Sequence, residues 1–169
     1  MTPAEREWFE TAKETVYRDG MLLDERRWNE WLELYASDCV FWLPMWSEEG
    51  VLTPSTDTAL SYIYYESRKG LEDRVLRFTS RRSPASHPLP RTTHHATNLL
   101  ALAAPTASEV RLRAAWSTQV LFTRSGEQHV FFGWAEYLLR AVNTDWQIAR
   151  KQVVLQNDTI PTMLDVYCV

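Results

Sequence analysis

The sequence predicts an α+β fold in which helices pack on one face of a curved, mostly antiparallel sheet. Apolar residues recur at helical spacing mainly in the first half of the chain. Long stretches of alternating apolar and polar residues, separated by tight-turn residues, fill the second half. Helices followed by a run of strands are typical of α+β domains. The length of 169 residues favours one domain spanning residues 1–169.

The first helix is predicted to begin directly after Thr2. Pro3 occupies the first helical position, where its missing N–H costs nothing, and Glu5 follows three residues after Thr2. Thr2 and Glu5 together form a capping box, in which each side chain binds the backbone N–H of the other residue. Apolar residues then recur at helical spacing at Trp8, Phe9, Ala12 and Val16.

A second helix is predicted with Asp24 as its N-cap. The apolar positions that follow lie at i, i+3, i+4 and i+7, the spacing of one helix face, and are occupied by Trp28, Trp31, Leu32 and Tyr35. We expect this aromatic face to pack into the concave side of the sheet.

The remaining elements follow from short β-rich runs, turn residues and one further helical pattern. A helix is expected over residues 70–78, and residues 83–90 are expected to be irregular because they contain three prolines. Strands are predicted at residues 39–43, 61–66, 92–103, 110–123, 129–142 and 146–155, with a short edge strand at 165–169. Gly133 lies inside a long strand, where glycine often marks a bulge or a bend.

The order of these elements favours a cone. A strongly curved, mixed or antiparallel sheet that wraps around N-terminal helices has the shape of the NTF2-like (scytalone dehydratase-like) folds. Members of this fold class include both enzymes and assembly proteins, so the fold by itself does not determine the function.

Composition and charge exclude several function classes. The net charge is -4 and no basic face is apparent, which argues against nucleic-acid binding. No apolar run reaches the roughly 20 residues of a membrane span, and no signal peptide is recognisable. We therefore expect a cytoplasmic protein whose two cysteines, Cys39 and Cys168, are reduced.

Aromatic residues are unusually numerous, with 8 Trp, 7 Tyr and 6 Phe. Large aromatic side chains dominate the energetics of both protein cores and subunit interfaces. This composition is therefore compatible with an oligomer, and equally with an enclosed pocket lined by aromatic rings.

Two adjacent histidines, His94 and His95, are the most conspicuous polar motif. On a strand their side chains point to opposite faces, so they cannot bind one metal ion without distortion. One of them could act as an acid or a base in a pocket, but the favoured interpretation places one on the surface and the other in a polar interface or a core network. Adding His87 and His129 gives enough residues for a metal site, but their spacing supports none.

A cluster of arginines follows the predicted helix at residues 70–78. Glu72 and Asp73 are neighbours on a helix and do not share a face, so they do not form an acid pair. The arginines can bind carboxylates bidentately, on a substrate or on a partner subunit, or they can lie on a solvated helix end. Both interpretations stay open for Arg74, Arg77, Arg81 and Arg82.

An ordered set of segments resembles the β subunits of aromatic-ring-hydroxylating (Rieske non-haem iron) dioxygenases. The segments are residues 22–32 (LLDERRWNEWL), 64–65 (YY), 70–75 (GLEDRV) and 91–95 (RTTHH). Residues 151–154 (KQVV), 156–158 (QND) and 165–167 (DVY) resemble the benzoate, toluate and anthranilate branch. Cys168 stands where that branch is expected to carry histidine.

The resemblance implies a structural subunit. It implies an NTF2-like cone that forms a trimer and joins three large α subunits in an α3β3 hexamer that acts on benzoate-like aromatic compounds. The α subunit would carry the Rieske 2Fe–2S cluster and the mononuclear iron, and this chain would carry no catalytic, cofactor-binding or metal-ligating residue. The candidate residues for contacts with other subunits are Arg74, Arg77, Arg91, His94, His95 and Asn98.

Two alternatives are compatible with the same fold. A stand-alone NTF2-like dehydratase, isomerase or cyclase would use a histidine or aspartate base inside the cone. Its candidate groups would be His94 or His95, Asp24, and Tyr64 or Tyr65. A scaffold protein without any dioxygenase partner is the third possibility. A catalytic cone needs an open, ligand-sized cavity, whereas the cone of a scaffold is filled by aromatic side chains.

Metal analysis tests the expectation that this chain holds no metal. The isolated chain should contain no stoichiometric iron, zinc or iron–sulfur cluster, because the sequence lacks paired soft ligands. Stoichiometric iron that disappears when His94 or His95 is replaced by alanine would contradict the structural interpretation.

Overall fold

The computed structural model describes residues 1–56, 60–80, 88–157, 159–160 and 164–169. The helices are α1 (Pro3–Asp24), α2 (Trp28–Glu33) and α3 (Arg68–Thr79). The strands are β1 (Tyr35–Pro44), β2 (Ser61–Tyr65), β3 (Arg91–Ala101), β4 (Glu109–Phe122), β5 (Glu127–Val142) and β6 (Asp145–Leu155). A 3₁₀ turn, Val166–Cys168, follows them.

In the described part of the chain, six strands form one mixed sheet in the order β2-β1-β6-β5-β4-β3. β1 runs parallel to β6, and the other neighbouring strands are antiparallel. The helices cover one face of this sheet, and their apolar residues join those of the strands in one contiguous hydrophobic core. The predicted α+β cone with a mixed sheet is confirmed.

The start of α1 agrees with the prediction. The Thr2 side chain accepts a hydrogen bond from the Glu5 backbone N–H at 3.2 Å, and the Glu5 carboxylate accepts one from the Thr2 backbone N–H at 2.7 Å. The apolar face of α1 is buried through Phe9, Ala12, Val16, Leu22 and Leu23.

The predicted second helix is only partly correct. α1 continues to Asp24, the chain then turns at Arg26 with a φ of 56°, and α2 covers only Trp28–Glu33. Asp24 is therefore the end of a helix and not an N-cap. Tyr35 is the first residue of β1, yet its ring is fully buried and packs edge-on against the Trp31 ring at 5.1 Å. The apolar spacing continued from α2 into β1 because the helix directs the Trp31 ring, and the strand the Tyr35 ring, into the same core.

Most strands agree with their predicted positions, but residues 165–169 do not form an edge strand. They form a buried 3₁₀ turn, which begins where the Asp165 carboxylate accepts a hydrogen bond from the Val166 backbone N–H at 2.8 Å. A side-chain cap of this kind competes with strand geometry. Of the predicted irregular segment at residues 83–90, residues 83–87 lie outside the described residues.

Strand β4 shows the alternation expected of a sheet with one buried face. Its inward side chains are buried and include Val110, Leu112, Ala114, Trp116 and Val120. Arg111 and Arg113 lie between them and are exposed.

Gly133 is required by a close approach between β5 and β6. Its φ is 156°, and a Cβ atom at this position would lie 1.9 Å from the backbone oxygen of Val154. The register shift between these strands lies between Leu138 and Leu139, so of the two expectations, a bulge or a bend, the bulge does not occur at Gly133.

Gly133→Ala should therefore lower the free energy of unfolding by about 1–3 kcal/mol or more, because the added methyl group overlaps backbone. Gly126→Asn is the matched control. Gly126 also has a positive φ, 76°, but nothing lies within 4 Å of the place that a Cβ atom would take, and asparagine tolerates this conformation. Urea unfolding of both variants checks the prediction, and equal stabilities would contradict it.

Candidate functional site

A buried carboxylate, that of Asp19 on α1, lies at the centre of the polar groups inside the cone. It accepts hydrogen bonds from the Trp31 indole N–H at 2.8 Å and from the hydroxyls of Tyr35 and Tyr137 at 2.7 and 3.2 Å. The ammonium group of Lys151 donates a fourth hydrogen bond at 2.8 Å. Four donors from four different elements therefore surround one carboxylate.

Lys151 is as deeply buried as Asp19, with 1% of each residue exposed. Its Nζ also donates to the backbone oxygen of Val169 at 3.2 Å. The same ammonium group lies 5.3 Å from the centre of the Phe41 ring and 5.7 Å from that of Tyr137, within the range of cation–π attraction.

The arrangement keeps Asp19 charged. Burial by itself raises the pKa of Asp19, but the charge of Lys151 and the surrounding donors hold that pKa below its ordinary value. Burial, together with the negative charge of Asp19, raises the pKa of Tyr35 and of Tyr137 well above the ordinary value. The tyrosines therefore remain protonated donors, and the pair of opposite charges is satisfied within the core.

A second polar group joins the end of α1 to β3. The Asp24 carboxylate accepts hydrogen bonds from the Thr92 hydroxyl at 2.8 Å and from the His94 backbone N–H at 2.8 Å, and one of its oxygens lies 2.6 Å from His94 Nδ1. Burial raises the pKa of Asp24, but the hydrogen bonds and charge of His94 outweigh it, so the pKa is lowered.

The two adjacent histidines point in opposite directions, as predicted. The His94 side chain is 5% exposed and lies on the inner face of β3, whereas His95 is exposed. The structure therefore brings His94 together with Asp24. Tyr64 and Tyr65 lie on β2. β2 and β3 are the two edge strands, at opposite ends of the sheet.

The interior of the cone is largely filled. A cavity of about 60 Å³ lies between α1 and the strands, and its lining includes His94, Trp116, Asp19, Lys151 and Tyr137. Pockets for drug-sized ligands measure about 300–1,000 Å³, so this cavity is too small for an aromatic substrate. The largest fully buried side chains include those of Trp31, Tyr35, Phe41, Phe78 and Phe131.

Arg74 forms an internal ion pair. Its guanidinium group donates two hydrogen bonds to the Asp165 carboxylate, at 2.8 and 2.7 Å, and these bonds raise the pKa of Arg74. The pair fastens the 3₁₀ turn to α3. Arg77, on the same helix, is exposed. Arg81 and Arg82 lie outside the described residues.

The outer face of the sheet carries the other predicted contact residues. Arg91 and His95 are exposed on β3, and Asn98 is exposed with a φ of 52° where the pairing of β3 with β4 shifts. His95 lies in one row with Ser117 and Phe132 across β4 and β5.

Two exposed apolar residues of this face lie on β5. Val130 is 53% exposed and Phe132 is 44% exposed. The Asn157 side chain bonds the backbone of both residues, accepting from the Phe132 N–H at 3.0 Å and donating to the Val130 oxygen at 2.8 Å. We call the surface formed by Arg91, His95, Val130 and Phe132 the outer patch.

Comparison with known families identifies the class of protein. The family model described as ring hydroxylating beta subunit matches residues 18–162. The chain belongs to this family.

The similarity extends over almost the whole β subunit. This chain is 40% identical to the 2-halobenzoate 1,2-dioxygenase small subunit of Burkholderia cepacia over 152 residues, which cover 90% of each chain. The crystal structure of the β subunit of benzoate 1,2-dioxygenase from Burkholderia mallei is 33% identical and superposes with a TM-score of 0.74, covering 94% of this chain and 95% of that one.

The cone itself is shared more widely. An NTF2-like protein with a cystatin-like fold from Novosphingobium aromaticivorans superposes with a TM-score of 0.59 at 12% identity, covering 89% of the β subunit and 82% of that chain. At this identity the likeness concerns the fold alone.

In the β subunit, both cysteines are buried and free. Burial raises the pKa of Cys39 to about 11 and that of Cys168 to about 12, so both thiols are protonated at neutral pH. Among the residues that the structure describes, no three His, Cys, Asp or Glu side chains are placed to hold a metal ion. No helix in those parts of the chain is long and apolar enough to cross a membrane.

Sequence reasoning missed Asp19 and Lys151. The available signal was weak: Asp19 follows Val16 by three residues on the apolar face of α1, and Lys151 occupies an inward position two residues before the buried Val153. A charged residue at a buried position of a pattern indicates a buried partner, but the pattern does not say which one.

Lys151→Met should destabilise the β subunit by about 3–5 kcal/mol, because it leaves the buried Asp19 charge without its cation. The double variant Asp19→Asn/Lys151→Met should be more stable than Lys151→Met. Urea unfolding at neutral pH checks this order. The exposed pair Arg140–Asp38, at 2.9 Å, is the matched control, and Arg140→Met should destabilise the protein far less, because solvent screens this pair. Equal losses for Lys151→Met and Arg140→Met would contradict the assigned role.

Acid should remove the contribution of Asp19. A carboxyl group whose pKa is lower in the folded than in the unfolded state stabilises the fold above its unfolded pKa, about 3.9, and loses that contribution as the pH falls through the folded pKa. The difference in unfolding free energy between the native protein and Asp19→Asn should therefore shrink below about pH 4. Urea unfolding at several pH values measures it, and a difference that grows in acid would contradict the lowered pKa.

Proposed function

We propose that this β subunit is the assembly subunit of a terminal oxygenase that hydroxylates a benzoate-like aromatic acid. The chain contributes one domain, residues 1–169, and no reacting group. A large α subunit carries the Rieske 2Fe–2S cluster and the mononuclear iron and performs the chemistry. The complex works in the cytoplasm in the breakdown of aromatic compounds.

The filled interior of the cone is the observation that carries this proposal. A subunit that bound and converted an aromatic acid inside the cone would need a cavity several times larger than the observed 60 Å³. The buried aromatic rings and the Asp19–Lys151 pair occupy that space instead. The same observation weighs against a stand-alone dehydratase, isomerase or cyclase, although the Asp24–His94 pair resembles the base of such an enzyme.

The choice of substrate class rests on the relatives. Proteins similar to this chain include small subunits named for 2-halobenzoate and benzoate, both aromatic carboxylates. The cavity that the described residues form inside the cone is too small for such a molecule, so we assign substrate binding to the α subunit.

We further propose that three β subunits form a trimer that joins three α subunits as an α3β3 hexamer. The outer patch supports this proposal, since an exposed apolar centre beside arginine and polar side chains is typical of a subunit interface. Arg77 and Asn98 are exposed and belong to the proposed contact surfaces. Arg74 and His94 already have partners within the chain, so we assign them the role of holding the adjoining segments in place.

Co-expression with the large subunit tests the function. The proposal expects turnover of an aromatic acid only when both chains are present, with the iron and the cluster on the large chain. An isolated β subunit that converts a small substrate as a stable monomer would overturn it.

Charge reversal tests the contact surface. Arg91→Glu should weaken assembly, because it places a carboxylate where the guanidinium would meet a partner, while the exposed position should leave the isolated fold intact. Arg6→Glu, on the exposed first turn of α1, is the matched control and should assemble normally. Light scattering measures the size of each complex, and circular dichroism measures the fold. Normal assembly of Arg91→Glu would contradict the assignment of Arg91 to an interface.

A further inference from the structure

Two buried nitrogen atoms inside the cone have no hydrogen-bond partner in the described structure: His94 Nε2 and Trp116 Nε1. Both residues line the cavity of about 60 Å³. The His94 side chain is 5% exposed and Trp116 is 6% exposed, so bulk solvent does not satisfy either atom. A buried polar atom without a partner costs about 1–3 kcal/mol, and native proteins rarely leave one unsatisfied.

The contacts of Asp24 determine what His94 offers to the cavity. The pKa of Asp24 is lowered, so this carboxylate is an acceptor, and His94 Nδ1 at 2.6 Å is the atom that donates to it. Nε2 of the same ring accepts a hydrogen bond when the imidazole is neutral and donates one when it is charged. The indole N–H of Trp116 can only donate. The cavity therefore presents the indole N–H, which donates, and a ring nitrogen that accepts or donates, and both need a partner that can do either.

Water is the partner that fits in chemistry and in size. A cavity needs roughly 10–15 Å³ of space accessible to a water-sized sphere to hold one water molecule, so the cavity of about 60 Å³ has room for at least one. We propose that the cone contains an ordered water site, in which water accepts a hydrogen bond from Trp116 Nε1 and forms a second hydrogen bond with His94 Nε2. The Asp19, Tyr137 and Lys151 side chains form the polar far wall of the same cavity.

The packing of α1 against β3 keeps this site small. A Cβ atom at Gly20 would lie 2.7 Å from the Cβ atom of His94, so only glycine permits this approach of the helix to the strand. The imidazole is thereby held between Asp24 on one side and the cavity on the other. The site accommodates water or another molecule of very few atoms that both donates and accepts hydrogen bonds, and it excludes an aromatic acid.

The Asp24–His94 pair thus has the orientation of a general base, with a carboxylate on one ring nitrogen and a water site on the other. In this chain the arrangement binds solvent and fastens α1 to β3. The water site depends only on side chains of this chain and does not require the proposed assembly function.

NMR spectroscopy of the isotope-labelled protein tests the site. The indole proton of Trp116 should show a cross-peak to a long-lived water molecule, with its assignment made by the variant Trp116→Phe. Trp31 supplies the matched control, because its equally buried indole N–H donates to Asp19 at 2.8 Å and should show no such cross-peak. Absence of the Trp116 cross-peak would overturn the proposal.

A high-resolution crystal structure gives the second readout. We expect density for water within hydrogen-bond distance of both His94 Nε2 and Trp116 Nε1, and its loss in His94→Phe, whose ring fills the place of the imidazole without an acceptor. An empty cavity, or a direct hydrogen bond between His94 and Trp116, would overturn the proposal. Soaking with benzoate should add no density at this site, and benzoate bound there would likewise overturn it.

Discussion

The buried charge of Asp19 fixes how the helices meet the sheet. A carboxylate in a protein interior is tolerated only when a cation and further hydrogen-bond donors satisfy it. Here the donors Trp31, Tyr35, Tyr137 and Lys151 come from α2, β1, β5 and β6, so the helix that carries Asp19 can occupy only one depth and one rotation in the cone. The remaining packing is arranged around that contact.

This constraint also explains why side chains fill most of the interior. The side chains that satisfy Asp19 are large, and their rings fill the space that a catalytic cone leaves open. Of the two groups with catalytic potential, His94 lines a cavity of about 60 Å³, and Asp24 is paired with His94. A cone stabilised in this way can present a well-defined outer surface to partners, and the exposed Val130 and Phe132 beside Arg91 lie on that surface.

Local patterns predicted the elements whose stability is local. The capping box at Thr2 and the alternation in β4 depend on residues close in sequence, and the structure agrees with both. The family resemblance led to the same fold, and both the fold and the family are confirmed. The expected absence of a reacting group stays a prediction. The prediction failed at Asp24 and at residues 165–169, where side chains distant in sequence decide the backbone: Asp24 binds β3, and Asp165 binds Arg74.

The polar centre could not be predicted for the same reason. Asp19 and Lys151 are 132 residues apart, and no periodicity connects them. Strand geometry predicted that the side chains of His94 and His95 point to opposite faces. The partner of His94 could not be predicted, because its identity depends on where α1 ends. Subunit contacts depend on chains outside this one, so the assignment of Arg91 and its neighbours remains a prediction.

The central claim is that the Asp19–Lys151 centre holds the cone together and takes no part in the chemistry. The most direct test measures turnover by the assembled complex that contains the double variant Asp19→Asn/Lys151→Met. If the polar centre serves only to hold the cone together, the variant should melt at a lower temperature, yet each assembled complex should turn over its aromatic acid at the native rate. A variant that assembles fully and melts normally but loses turnover would contradict the account, because the polar centre would then take part in the chemistry.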